Sequence, residues 1–231
     1  MKVKVIDHTQ NPIETIYRAF RLCYSKDLPT EIKIPTIETA IGDVPDTPKM
    51  LDFIKAHQNH ESPIEHCTFT FAIEEISRTN SHQLVRSRLA SFSQQSQRYV
   101  ILKHFGYVMP PEIEKIPEAK ALFLKTMEDD QVAYDILYDL LIKNGRNKEQ
   151  AAEDARYVFP NACKTNLIVT MNARELITFF RSRLCSRAQW EIRAMAEEMR
   201  KQIHEILPIF NRKDVMNCGK TCFTCADKKE I

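Results

Sequence analysis

The sequence predicts an α+β fold, with long helices packed on a mixed sheet. Three observations carry this. Leu122 to Ile142 places Leu124, Met127, Tyr134, Leu137, Tyr138 and Leu141 on one broad helical stripe. Cys67 to Ile73 instead alternates, with Phe69, Phe71 and Ile73 on one side and Thr68 and Thr70 on the other. The strand-like segments are few and separated, so no regular strand-helix-strand series emerges.

The remaining elements follow in order. Val3 to Ile6 reads as a short strand and Pro12 to Tyr24 as a helix. Residues 25–45, rich in Pro and Thr, read as loop with a short helical turn. Thr47-Pro48 starts a helix, with Thr47 as N-cap, running to about His57. Ser77 to about Leu89 reads as a helix and Ser91 to Gln97 as a polar loop. Tyr99 to Leu102 reads as a strand. Asn147 to Tyr157 is a helix that Pro160 closes. Leu167 to Met171 is strand-like. Asn172 caps a helix to Leu184, with Glu175 three residues on. The last helix, Ala188 to Leu207, carries Ala188, Ile192, Met195, Met199, Ile203 and Ile206 on its apolar stripe, and Trp190 is expected in the core. Residues 1–215 read as one domain and 216–231 as a Cys-containing tail.

Composition narrows the function. Thirty-three basic and 31 acidic residues among 231 leave a net charge of +2, which does not suggest a nucleic-acid polymer as partner. The longest apolar run is four residues, too short for a membrane span. Seven cysteines without a secretion signal point to the reducing cytoplasm. Only four glycines are present, so no glycine-rich phosphate loop can form. A nucleotide would have to be held by side chains and helix ends, which directs attention to arginine.

Four constellations can carry chemistry. His60-Glu61-Ser62-Pro63-Ile64-Glu65-His66 gathers two histidines and two carboxylates. Pro63 rules out a helical metal motif there, and a polar loop capping its neighbours is the favoured reading, so no metal is expected. Gln83, Arg86 and Arg88 precede a hydroxyl- and amide-rich run, Gln94-Gln95-Ser96-Gln97-Arg98, with Gln83 and Arg86 placed on one helix face. Guanidinium forks there would grip phosphate and amides would read a base edge. In the helix after Asn172, Arg174, Thr178, Arg181 and Cys185 share one face, while Arg183 lies on the apolar side. A half-buried arginine there needs an anion or a carboxylate partner. Cys218, Cys222 and Cys225 lack an evident fourth zinc ligand and read as reduced thiols in a tail.

Together these segments resemble the flavin-dependent thymidylate synthases. The His60–His66 loop is similar to that family's HE(S/T)PxEH segment. Arg86-Ser87-Arg88, seven residues and Ser96 resemble its RHR-x7-S signature. Asp154-Ala155-Arg156-Tyr157-Val158-Phe159-Pro160 resembles DARxxLP. Asn172-Ala173-Arg174-Glu175-Leu176, Arg183 and Ala188-Gln189-Trp190-Glu191-Ile192 resemble NARxL…R…AQWE. The resemblance implies that family's α+β fold, a homotetramer with active sites at subunit junctions, FAD as cofactor, and deoxyuridine monophosphate (dUMP), methylenetetrahydrofolate and NADPH as reactants. It implies FAD contacts from Ser62, Arg86, Arg88 and Asn172, with Ser87, Gln94 and Thr178 also at flavin positions. It implies dUMP contacts from Gln83, Arg86, Gln94, Gln95, Ser96, Gln97, Arg98, Arg156 and Arg183. Arg183 would be catalytic, favouring ionisation at N3 of the uracil.

Two departures stand out. Ser87 replaces the signature's central His, and Thr178 replaces the His or Asn of many members. Gln94 replaces a Glu found in some. Each lost flavin hydrogen bond would cost about 1 to 3 kcal/mol. These changes leave two alternatives open: a relative that binds flavin and a pyrimidine nucleotide but performs another C5 modification, or a nucleotide-binding protein without catalysis.

Overall fold

The computed structural model describes residues 1–57, 59–211 and 215. In chain order these form β1 (Lys2–His8), α1 (Pro12–Tyr24), β2 (Thr36–Thr39), β3 (Gly42–Pro45), α2 (Thr47–Ala56), a 3-10 turn (Ser62–His66), β4 (Thr68–Ser77), α3 (Arg78–Leu84) and β5 (Ala90–Gln94). There follow α4 (Pro111–Glu114), α5 (Pro117–Lys143), α6 (Lys148–Ala155), a second 3-10 turn (Arg156–Val158), β6 (Lys164–Asn172), α7 (Ala173–Arg183) and α8 (Trp190–Ile206). Helices predominate over a four-stranded sheet of order β1-β4-β6-β5, in keeping with the α+β class; β2 and β3 form a separate hairpin. Thr9 meets Thr68 while Lys2 meets Glu74, so β1 and β4 run antiparallel. Thr70 meets Thr170 while Glu75 meets Asn166, so β4 and β6 do too.

The described chain divides into two compact units. The first comprises Met1–Lys2, Ile73–Arg86 and Ser93–Leu167. The second comprises Val3–Ala72, Ser87–Phe92 and the described residues from Ile168 on.

In the second unit, the expected alternation of β4 buries Phe69 and Phe71 completely. Phe210 meets both Phe69 and Phe180 of α7 edge to face, at 6.1 and 5.9 Å. The α8 stripe buries Ile192, Met195, Met199 and Ile203, whereas Ile206 and Trp190 are half-buried. Gln202 of α8 accepts from the Val5 amide at 2.8 Å and donates to the Val3 carbonyl at 2.6 Å, fixing the helix against β1. Asn172 caps α7 as expected, its side chain accepting from the Glu175 amide at 2.8 Å. The cap of α2 is Asp46 rather than Thr47: its carboxylate accepts from the Lys49 backbone amide at 3.1 Å.

In the first unit, Phe105, Met127 and Cys163 form a core with Leu102, Tyr107, Phe123 and Phe159 packed on it. Tyr134 stacks on Phe159 at 4.4 Å. Of the expected α5 stripe only Met127 and Tyr134 are buried; Leu124 and Leu137 remain exposed. Asn147 and Gln150 form a capping box on α6.

The structure corrects four further local expectations. Residues 36–45 form a hairpin rather than loop, closed by Gly42 at φ +109°, a conformation glycine tolerates. Ser91 to Gln94 belongs to β5, whose half-buried Ala90, Phe92 and Gln94 alternate with exposed serines. Tyr99 to Leu102 is not a strand. There Gln131 donates to the Leu102 carbonyl at 3.3 Å and accepts from the Phe105 amide at 2.9 Å, satisfying backbone that a ladder would otherwise serve. Finally, α3 ends at Leu84, not Leu89. Val85 and Leu89 are exposed, so another turn would bury nothing. Arg86 therefore lies outside the helix, and the shared face with Gln83 does not form.

Candidate functional site

The candidate residues fall in both units. The second unit holds Ser62, Ser87, Arg88, Asn172, Thr178 and Arg183. Ser62 opens the 3-10 turn and Pro63 follows it, its fixed φ suiting a helical start. Ser62 Oγ lies 3.0 Å from His60 Nε2, and His60 Nδ1 lies 3.3 Å from the Tyr24 hydroxyl. The acids of the same segment face α7. Glu61 pairs with Arg181 at 2.8 Å and with Arg174 at 3.6 Å, and Glu65 pairs with Arg174. The Glu65 hydrogen bond is the foremost reason that Arg174 holds its proton more tightly than usual. Pairs this exposed are screened by solvent and add little to stability. Their effect is orientational: they tie the Ser62 turn to the helix bearing Thr178 and Arg183.

Thr178 and Asn172 are engaged locally. The Thr178 hydroxyl donates to the Arg174 carbonyl one turn back, at 3.3 Å. The Asn172 oxygen caps α7, leaving its amide nitrogen to donate. Arg183 is half-buried in the last turn of α7. Ser87 is half-buried and Arg88 exposed; among the described residues Arg88 makes no ion pair or side-chain hydrogen bond.

The first unit holds Gln83, Arg86, Gln94 to Arg98 and Arg156. Gln83 is half-buried on α3, and Arg86 is exposed, again without an ion pair among the described residues. Three glutamines are occupied by β6 and the residue before it. Gln94 Nε2 donates to Thr165 at 3.0 Å, Gln95 Oε1 accepts from Asn166 at 2.8 Å, and Gln97 Nε2 meets Cys163 Sγ at 3.5 Å. Ser96 Oγ accepts from the Arg98 amide at 3.1 Å, which turns the chain. The Arg98 guanidinium reaches Glu149 at 3.0 Å and Glu153 at 3.1 Å. Arg156 Nε donates to the Glu153 carbonyl at 3.2 Å. Glu153 thus brings Arg98 and Arg156 together at the end of α6. Asp154, in the same segment, holds Arg146 at 2.6 Å.

Sequence reasoning missed Tyr24 as the partner of His60, and Cys163, Thr165 and Asn166 as anchors. Their roles depend on which strand lies alongside, which no local pattern encodes. The pairing of Arg174 and Arg181 with Glu61 was partly visible, since acids and arginines recur in the two motifs. Among the described residues no three His, Cys, Asp or Glu side chains gather as a metal site. Cys218, Cys222 and Cys225 lie outside the described residues. No described helix is long and apolar enough to cross a membrane.

Taken by themselves, the second unit's side chains suit an anionic cofactor: Arg88 is not consumed by an internal carboxylate among the described residues, and Ser62, Ser87 and the Asn172 amide are neutral hydrogen-bonding groups. In the first unit Arg86 is likewise a cation without an ion pair among the described residues.

These are features of a protein that binds anionic, nucleotide-like ligands without glycine loops. Residues 4–209 match the thymidylate synthase complementing protein family, and the chain belongs to it. It is 45% identical to a flavin-dependent thymidylate synthase of Clostridium tetani, over 100% of this chain and 95% of that protein. It is 46% identical to one of Nitratidesulfovibrio vulgaris over 90% of this chain and 84% of that protein. It is 41% identical to one of Pyrococcus furiosus over 90% and 82% respectively.

Proposed function

We propose that this chain is a flavin-dependent thymidylate synthase that converts dUMP to thymidine monophosphate, with methylenetetrahydrofolate as carbon donor, NADPH as reductant and FAD as cofactor. The observation that carries the reading is the family match over nearly the whole chain, with the motif arginines Arg86, Arg88, Arg98, Arg156 and Arg183 all in place. When bound, FAD supplies the hydride that reduces the transferred methylene to a methyl group.

The chain's own residues have distinct tasks. Ser62, Arg86, Ser87, Arg88, Asn172 and Thr178 hold FAD, with Arg86 and Arg88 serving its phosphates. Gln83, Arg86, Ser96, Arg98, Arg156 and Arg183 receive dUMP. Arg98 exchanges its Glu149 and Glu153 partners for phosphate, which keeps the cation oriented before binding. Gln94, Gln95 and Gln97 shape the same segment, Gln94 also bordering the flavin. Arg183 is catalytic: a guanidinium at the uracil edge stabilises negative charge developing from N3. A thiol nucleophile is not invoked. Burial pushes both Cys67 and Cys163 up to about 11, so each stays a neutral thiol at physiological pH.

The reading includes a cytoplasmic homotetramer with active sites at subunit junctions, and one catalytic domain over 1–215 followed by a tail. The exposed Leu122, Val132, Ile136 and Leu140 of α5 support association, because apolar side chains of this size gain by being covered. The test is spectroscopic. Protein with FAD is reduced anaerobically by NADPH, and the flavin band is followed. Reoxidation only when dUMP and methylenetetrahydrofolate are both added is the expected result. A flavin that stays reduced with both present would overturn the reading.

A further inference from the structure

The Gln94–Arg98 segment is fastened to the start of β6 at several points, and one of them is built differently from the rest. Asn166 works in three directions. Its carbonyl accepts from the Gln95 amide at 2.9 Å, its Nδ2 donates to Gln95 Oε1 at 2.8 Å, and its Oδ1 accepts from the Glu75 amide at 2.8 Å. A backbone N–H can only donate, so the Glu75 contact fixes which side of the Asn166 amide is oxygen. The nitrogen is then left aimed at Gln95.

Glu75 is itself unusual. It sits in β4 at φ +59°, the left-handed region that L-residues with side chains avoid. Lys164 at 3.2 Å and the N-terminal ammonium at 4.0 Å flank its carboxylate. Residues held in such conformations persist where their surroundings over-determine them, and they concentrate near functional sites. Here the strained residue turns its N–H to a side chain whose other end holds the nucleotide segment. Glu75, Gln95 and Asn166 are all exposed, so the arrangement contributes little to the core.

We infer that Asn166 is a positioning residue for nucleotide binding: it clamps Gln95, and with it the Ser96–Arg98 turn, to the fixed backbone of Glu75. The inference rests on the reading that this segment receives dUMP. Ligand affinity depends on polar groups being placed to within a fraction of an ångström, so a loosened clamp weakens binding without entering the chemistry.

The test is equilibrium titration of dUMP, and separately of FAD, into the full-length protein. It compares wild type with Asn166→Ala, Asn166→Asp, Gln95→Ala and the Asn166→Ala/Gln95→Ala double variant, with thermal melting of each. Asn166→Ala should weaken dUMP binding about tenfold, the effect of one oriented hydrogen bond, and leave FAD affinity and melting close to wild type. Asn166→Asp should largely restore binding, because its carboxylate accepts from Glu75 and from the Gln95 amide after that amide rotates. The double variant should bind no more weakly than the weaker single variant, since both break the same Asn166–Gln95 side-chain bond. Unchanged dUMP affinity in Asn166→Ala would overturn the inference. So would a parallel loss of FAD affinity and melting temperature, or failure of Asn166→Asp to restore binding. Wild-type protein that does not bind dUMP would overturn the functional reading, and the clamp with it.

Discussion

Ser87 and Thr178 depart from the pattern that the resemblance implies, and both shorten a side chain at a position proposed for the flavin. Thr178 spends its hydroxyl proton on the Arg174 carbonyl, so toward the cofactor it can only accept a hydrogen bond. Ser87 is half-buried and small. Ser87→His should therefore tighten FAD binding about tenfold, the value of one restored hydrogen bond, as read by quenching of flavin fluorescence. An unchanged affinity would show that the serine already makes an equivalent contact. The buried thiols give a second residue-scale prediction. With folded values near 11 against an ordinary 9.0, Cys67 and Cys163 keep their protons where the unfolded chain begins to lose them. The unfolded state then binds fewer protons, so stability should fall as pH rises from about 9 to 11 and be insensitive to these groups below that window. Alkylation at pH 8 followed by peptide mass mapping should modify exposed Cys23 and spare Cys67 and Cys163.

At the scale of elements, the parts that sequence revealed are those in which burial and period coincide. Phe69, Phe71 and Ile73 announced β4, and the α8 stripe announced a helix that buries Met195 and Met199. Asn172 announced its helix because a cap is a local device, and Asn147 with Gln150 caps α6 in the same local way. Asn147→Ala removes the side-chain half of the α6 capping box, the bond accepted from the Gln150 amide, and should cost about 1 kcal/mol, measured by denaturant unfolding. A cost near zero would mean that α6 is held by its buried alanines alone. The parts that stayed hidden have the opposite character. The β2–β3 hairpin is exposed almost throughout, so no apolar alternation marks it. β5 alternates, but between polar and half-buried residues, and its serines masked the period. The end of α3 at Leu84 depends on what lies beyond it, not on propensity. The candidate site divides in the same way. Arginines and histidines were visible as residue types, whereas Thr165 and Asn166 took their roles from the strand pairing that places them beside Gln94 and Gln95.

For the whole molecule, the exposed apolar side of α5 is the feature that a lone chain explains least. Ile136 and Leu140 lie one turn apart, at 54% and 49% exposure, so charging them costs the single chain little. Ile136→Glu combined with Leu140→Glu should leave the circular dichroism unchanged and shift the sedimentation coefficient to a smaller species. Activity should fall with the assembly if the sites lie at subunit junctions. A variant sedimenting as wild type would remove α5 from the interface.

The central claim is that this chain methylates dUMP. Its most direct test is mass spectrometry of the nucleotide after anaerobic incubation of the protein with FAD, NADPH, methylenetetrahydrofolate and dUMP, beside an Arg183→Ala control with FAD binding confirmed. The account predicts a product heavier by one methyl group in the wild type, and at least a hundredfold less, on the order expected for losing one transition-state cation, in the control. Unchanged dUMP in the wild-type reaction, or a product of any other mass, would contradict it.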